Sequence, residues 1–335
     1  MKKGIVLVAN LKSQWYCENL IFSIRKSGCK LPIRLVHFGG EKINSEFVLS
    51  EVEYLTYDEF SNEAKAFITN LGTVLTDCPK GFLYRFLGWF SDWDEFIYAD
   101  NDIVALMNWE QLFEYTEEYD LVHADEEYTT QGIFNYLQPE KVEGFFGEGS
   151  LNTAITAGHI VVKKNPKMIA DMNAAIEWFK QHPEIPKKHD QSLLHIATLI
   201  GDWKLLNLCK QPHNWLSSWS GDYTNSLDLI QAIQGGYVQD TASHKTWFSI
   251  VSDKSKTERK EQSPTSSSYT PISHLHYSGR GRIGSEPIDD LMFSDQTNKK
   301  RMKRLFTIQL TDMLGITYYK NQKNRVKNYL NRILK

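Results

Sequence analysis

The 335-residue sequence is predicted to form a doubly wound α/β domain with a mainly parallel, Rossmann-like sheet, followed by a basic helical extension. Three observations predict this. A strand, a helix and a second strand follow one another within the first forty residues, which is a βαβ unit and implies a parallel sheet. The same alternation then recurs along the chain. Finally, the buried run Phe96-Ile97-Tyr98-Ala99 stops abruptly at Asp100-Asn101-Asp102, and doubly wound sheets hold their ligands beyond the carboxyl ends of their strands.

In order, Gly4 to Ala9 is an apolar run of strand length, and Ser13 to Arg25 has helical spacing at Leu20, Ile21 and Ile24. The opening Met1-Lys2-Lys3 imitates a signal peptide. The apolar run behind it is too short, so a first strand is expected. Leu31 to Phe38 is a second strand, closed by Gly39-Gly40, and Val52 to Leu55 a third. Ser61 to Asn70 and the aromatic stretch Phe82 to Phe90 are expected as helices, the latter leading into the Asp100 strand. Asn108 to Tyr115 follows as a helix and Tyr119 to Ala124 as a strand. Ala154 to Val162 is strand-like, with a small-residue interruption where a ligand can approach the backbone. Pro166 to Phe179 is a helix, and Asp190 suits the start of another. Ile272 to Arg282 is a strand running into a Gly- and Arg-rich loop able to offer cations and N–H groups to phosphate. Between them, 252–270 is polar and is expected to be a mobile loop. Residues 1–290 are taken as one domain and 291–335 as a helical tail.

Composition bounds the rest. No stretch approaches the ~20 apolar residues of a membrane span. Cys17, Cys29, Cys78 and Cys209 show no CxxC or zinc spacing, so reduced, cytoplasmic thiols are expected. Net charge is −3, yet residues 299–335 hold eleven Lys or Arg against one acid, Asp312. The tail therefore carries +10 and the remainder −13. Within it, Val326, Tyr329, Leu330, Ile333 and Leu334 share one helical face flanked by Lys323, Arg325, Lys327 and Arg332. Such a helix suits an anionic membrane surface, or docks on its own domain. Peripheral attachment to the inner face of the cell membrane is the corresponding expectation. No nucleic-acid partner is expected.

Asp100 and Asp102, at i and i+2, leave a strand on one face and can reach a single point. Crowded carboxylates repel unless a cation neutralises them, and Mg²⁺ or Mn²⁺ is the usual solution. An Asp-Asn-Asp turn with no ion is the structural alternative. Arg85 could simply pair with a carboxylate. His276 could be a satisfied core histidine, Gln191 an ordinary helix-start residue, and His274 a rival ligand two positions away. His37, His123 and His159 carry no motif and are taken as structural.

Over residues 4–290 these pieces, in this order, resemble the GT-A glycosyltransferases. More narrowly, they resemble the retaining group (glycosyltransferase family 8-like) that contains bacterial lipopolysaccharide galactosyl- and glucosyltransferases and glycogenin. Asp100-Asn101-Asp102 matches the DxD metal motif, and Arg85 a basic residue that contacts the nucleotide-sugar. Thr156-Ala157-Gly158 stands where the family usually has Asn-Ala-Gly, and Asp190-Gln191 matches its Asp-Gln pair. His276 to Arg282 matches His-x-x-Gly-x-x-Lys, with Arg for Lys. Thr156 lacks the amide of the usual Asn, and Arg282 keeps charge without the point geometry of an ammonium.

The resemblance implies that Asp100, Asp102 and His276 hold Mn²⁺ or Mg²⁺, with imidazole favouring Mn²⁺. It implies that Gly279 and Arg282 bind the donor diphosphate, that Ala9 and Asn10 meet uracil, and that Asn101 faces the ribose or donor sugar. Thr156 and Gly158 would lie near that sugar, with Asp190 and Gln191 at the anomeric carbon. The expected activity is retaining transfer of a hexose from a UDP-sugar to a saccharide or lipid-linked saccharide acceptor, in lipopolysaccharide or capsule synthesis. A sugar nucleotidyltransferase is the alternative enzyme, although Asn10 to Trp15 lacks the glycine-rich loop that activity needs. A non-catalytic carbohydrate-binding protein of the same fold is the other.

Overall fold

The structure, a computed structural model, describes residues 1–124, 135–220 and 270–277, with the backbone alone of 233–234 and 237–238. Contacts divide the chain into two units, Met1–Ser278 and Gly279–Lys335. The whole second unit, and with it Gly279, Arg282 and the tail 291–335, lies outside the described residues. So does 252–269 of the expected mobile loop, whose last residue, Thr270, begins a strand.

The first half runs β1 (Lys3–Ala9), α1 (Gln14–Lys26), β2 (Ile33–His37), α2 (Glu46–Glu51), β3 (Val52–Leu55), α3 (Asn62–Val74), α4 (Lys80–Leu83), β4 (Glu95–Ala99), β5 (Ile103–Ala105) and β6 (Leu121–His123). The second adds α5 (Pro139–Phe146), β7 (His159–Lys163), α6 (Met168–Gln181), α7 (Asp190–Gly201) and β8 (Leu205–Asn207). Last come β9 (Ile233–Gln234), β10 (Tyr237–Val238), β11 (Thr270–Pro271) and β12 (His274–His276). The central sheet has seven strands in the order β3-β2-β1-β4-β7-β6-β8. Every neighbouring pair is parallel except those involving β7, which runs against β4 and β6. The mainly parallel expectation therefore stands, with one reversed strand. Strands β9 to β11 form a separate three-stranded antiparallel sheet.

The central strands are buried on both faces, which is why β1 and β4 are nearly continuous apolar runs rather than alternating ones. Alternate residues still go to opposite cores. Val6, Val8, Phe96 and Tyr98 join a core built with α3, α6 and α7, whereas Ile5, Leu7, Ala9, Ile97 and Ala99 join one built with α1. This parity puts Tyr98 on the same side of β4 as the side chain that follows it by two, Asp100.

Three segments differ from expectation. Phe82 to Phe90 is a short helix, α4, continued by the 3-10 turn Tyr84–Phe90. There Gly88 lies against the Phe96 ring so closely that a Cβ would come within 2.5 Å of it. The stretch expected as a helix from Asn108 is likewise a 3-10 segment, Trp109–Glu117, capped by the Asn108 side chain. The strand expected from Ala154 begins only at His159, because the backbone before it turns away to meet the end of β4, where Asp100 N–H donates to Gly158 O at 2.7 Å.

Candidate active site

Strand β4 ends at Ala99, and Asp100-Asn101-Asp102 makes the turn into β5. The two readings of this stretch thus coincide: it is a turn, and it presents both carboxylates. Strand β5 leaves the central sheet and pairs with β12 instead, His276 opposite Ile103 in antiparallel register. Tyr277 N–H donates to Asp102 O at 2.9 Å, closing the join. This pairing carries His276 to the carboxylates from far along the chain. Its Nε2 stands 3.3 Å from Asp102 Oδ1. Among the described residues, one donor atom each from Asp100, Asp102 and His276 lie within 4.8 Å of one another.

Two details make room for the imidazole. A Cβ at position 158 would sit 2.3 Å from His276 Cε1, so only glycine fits beside the ring. His274, the rival, points elsewhere: its Nδ1 is 2.7 Å from Ser273 Oγ, and its ring lies 4.2 Å from that of His159. The small residues of 156–158 thus admit a side chain of the protein.

Arg85, from the turn after α4, is buried and ties three segments together. Nη1 donates to Ala157 O at 2.8 Å and meets Asp190 Oδ2, while Nη2 meets Asp100 Oδ1 at 3.1 Å. Burial alone would weaken its charge, but Asp100 and Asp190 outweigh that and raise its pKa further. The pairing with a carboxylate expected of a buried arginine is therefore present twice. Asp190 is the first residue of α7, where the helix dipole also favours a negative charge. Cys78 donates its thiol to Asp190 Oδ1 at 3.5 Å, and burial with that carboxylate pushes the thiol pKa up to about 12. Gln191 is half-buried next to it, and its amide makes no hydrogen bond among the described residues.

The carboxylates differ electrostatically. Desolvation raises the pKa of Asp100, even against Arg85 beside it. At Asp102 desolvation acts the same way, but the hydrogen bond and charge of His276 overcome it and leave that pKa lowered. Two oxygen donors and one imidazole, partly exposed and crowded, fit a hard-to-borderline divalent cation such as Mn²⁺.

Other expected site residues lie around this centre. Asn101 donates Nδ2 to Val8 O at 2.7 Å, which ties the turn to the end of β1. Ala9 is fully buried. Asn10 spends its side chain on the protein: Oδ1 accepts from Lys12 N–H at 3.0 Å, and Nδ2 donates to Gly39 O at 3.2 Å. Thr156 is buried beside Ala157. Tyr98 carries no motif signal, yet its hydroxyl donates to Asp100 Oδ1 at 2.6 Å.

The WbbM bifunctional glycosyltransferase superposes with a TM-score of 0.52 at 12% identity over 92% of this chain. This is a GT-A glycosyltransferase fold. The chain spans about half the length of WbbM, 52%. The galactosyltransferase LgtC in complex with donor and acceptor sugar analogs is also similar, with TM-score 0.49, 13% identity and coverage of 91% of this chain and 95% of that one. Residues 2–143 match the family model described as "Mannosyltransferase putative". No curated protein matches the chain.

Proposed function

We propose that this GT-A protein is a metal-dependent, retaining glycosyltransferase that moves a hexose from a UDP-sugar to a saccharide acceptor in cell-surface glycan synthesis. The observation that carries the reading is the meeting of Asp100, Asp102 and His276 at the carboxyl end of β4, with the Arg85–Asp190 pair against it. Those three side chains would hold the cation. When bound there, Mn²⁺ or Mg²⁺ neutralises the donor diphosphate and the charge that grows on it as it leaves.

The remaining roles belong to the chain. Arg85 holds Asp100 and Asp190 in one frame, so the metal-binding and sugar-binding sides keep a fixed separation. Asp190 has its charge engaged by Arg85, and Gln191 is a neutral amide; neither is a strong nucleophile. That favours front-face displacement, with the acceptor hydroxyl entering on the side the diphosphate leaves, over a glycosyl-enzyme intermediate. Gly279 and Arg282, outside the described residues, supply diphosphate contacts in this reading, and the backbone around Asn10 the base contact. The family description favours a mannosyl donor as a second reading.

The test is Mn²⁺-dependent release of nucleoside diphosphate from a panel of UDP-sugars and GDP-mannose, with thermal melting in parallel. Asp102→Asn and His276→Ala are each expected to lower turnover by about 10² or more, because the leaving diphosphate loses its counter-charge. Apo melting is expected to stay within a few degrees of wild type. Full turnover in Asp102→Asn, or activity indifferent to EDTA, would overturn the metal assignment. Release from GDP-mannose alone would decide for the second donor.

A further inference from the structure

We propose that Tyr98 is a positioning residue for the metal site, its hydroxyl fixing Asp100 so that the carboxylate offers Oδ2 to the cation. The inference rests on the metal reading above and deepens it. Tyr98 and Asp100 are two apart at the end of β4 and leave it on the same side. The hydroxyl donates to Asp100 Oδ1 at 2.6 Å, the short distance typical of a hydrogen bond to a charged oxygen. Arg85 Nη2 donates to the same Oδ1 at 3.1 Å and reaches Oδ2 only at 3.4 Å. Two donors therefore converge on Oδ1 from the protein side. The lone pairs that remain are mainly those of Oδ2, on a carboxylate that has one oxygen within 4.8 Å of a donor atom of Asp102 and of His276.

The Tyr98 ring cannot drift from this task. It is 2% exposed, packed in the core between β4 and its covering helices, and the Arg85 guanidinium lies 4.8 Å from its centroid. Arg85 and Tyr98 thus brace each other and brace one oxygen together. An aspartate in a turn otherwise rotates freely about its last bond. Fixing that rotation before the cation arrives removes an entropic cost from binding, and loss of such outer partners typically lowers metal affinity about 10–100-fold. A tyrosine that merely buries its ring and satisfies its hydroxyl predicts something different: lower fold stability with metal affinity untouched.

The experiment uses the full chain. Free Mn²⁺ is titrated by electron paramagnetic resonance against wild type, Tyr98→Phe and Asp102→Asn. For each, the rise in melting temperature on adding Mn²⁺ is read against its own apo value, which separates binding from any loss of stability. Tyr98→Met, which also lacks the donor, is carried alongside and must fall with Tyr98→Phe. The expected result is Mn²⁺ binding weakened about tenfold or more in both Tyr98 variants and lost in Asp102→Asn. Donor hydrolysis by Tyr98→Phe should return to within a few-fold of wild type once Mn²⁺ is saturating. Wild-type affinity in Tyr98→Phe with loss in Asp102→Asn would overturn the positioning role and leave the metal site standing. Unchanged affinity in Asp102→Asn would overturn both. A hydrolysis defect in Tyr98→Phe that added Mn²⁺ does not reduce would assign the hydroxyl a different role.

Discussion

His123 shows how a single buried side chain ties this fold to pH. It is buried at the end of β6, and Nδ1 has no partner among the described residues. Burial, aided by Lys210 and His195, lowers its pKa to about 3. The unfolded chain, with an ordinary histidine pKa of about 6.5, therefore binds more protons between those values. Its stabilising contribution is complete above about pH 6.5 and is lost as pH falls toward 3. His123→Leu, similar in volume and unable to protonate, should gain on wild type in melting temperature between pH 7 and pH 5. A gap that stays constant with pH would show that the imidazole does not govern acid sensitivity. Glycine 158 makes a different point at the same scale. Its neighbourhood is legible in sequence as a place where something approaches the backbone, but the sequence does not say what. The approaching group is the His276 ring, brought by a strand pairing that no local pattern records. Tyr98 was hidden for the same kind of reason. Within an apolar strand a tyrosine looks like core, and only the direction of its hydroxyl distinguishes it.

At the level of elements, the site is a junction of segment ends: β4, the turn after α4, the 156–158 loop, α7 and β12. Motif order made most of these ends visible, because residue types such as Asp-x-Asp survive as a pattern. What the pattern did not contain is how the ends are fastened. Arg85 was visible as a basic residue, but its bonds to Asp100, Asp190 and Ala157 depend on the tight 3-10 turn where helical spacing had been expected. Asp190 fastens α7 to that turn. Asp190→Ala should leave a buried guanidinium short of one counter-charge, and breaking such a pair typically costs about 3–5 kcal/mol. The measurement is denaturant unfolding without metal, with Asp102→Asn as the contrasting substitution, since Asp102 is a third exposed and, among the described residues, its ion pair is with His276. Equal midpoints for Asp190→Ala and wild type would show that the pair does not hold α7 in place.

On the scale of the whole molecule, the most unequal feature is charge. No helix among the described residues is long and apolar enough to cross a membrane, and the basic stretch 299–335 lies outside them. From its sequence, that stretch is proposed to hold the protein on an anionic membrane surface, where each basic residue contributes about 1 kcal/mol. The full chain should therefore co-sediment with vesicles rich in anionic lipid at low salt, and a chain ending at Asp312 should not. Equal sedimentation of the two would remove the membrane role. The pairing of β5 with β12 has a consequence in time as well as in space. Asp102 and His276 are 174 positions apart, and β8, the last strand of the central sheet, is complete by Asn207. On a ribosome, every strand of that sheet emerges before His276 does. In the metal reading proposed above, a nascent chain thus has its two carboxylates in place, and the sheet around them, before the third proposed ligand arrives. Metal retention would then mark that synthesis has passed His276, and a chain stalled short of it would lack a complete site by its topology rather than by misfolding.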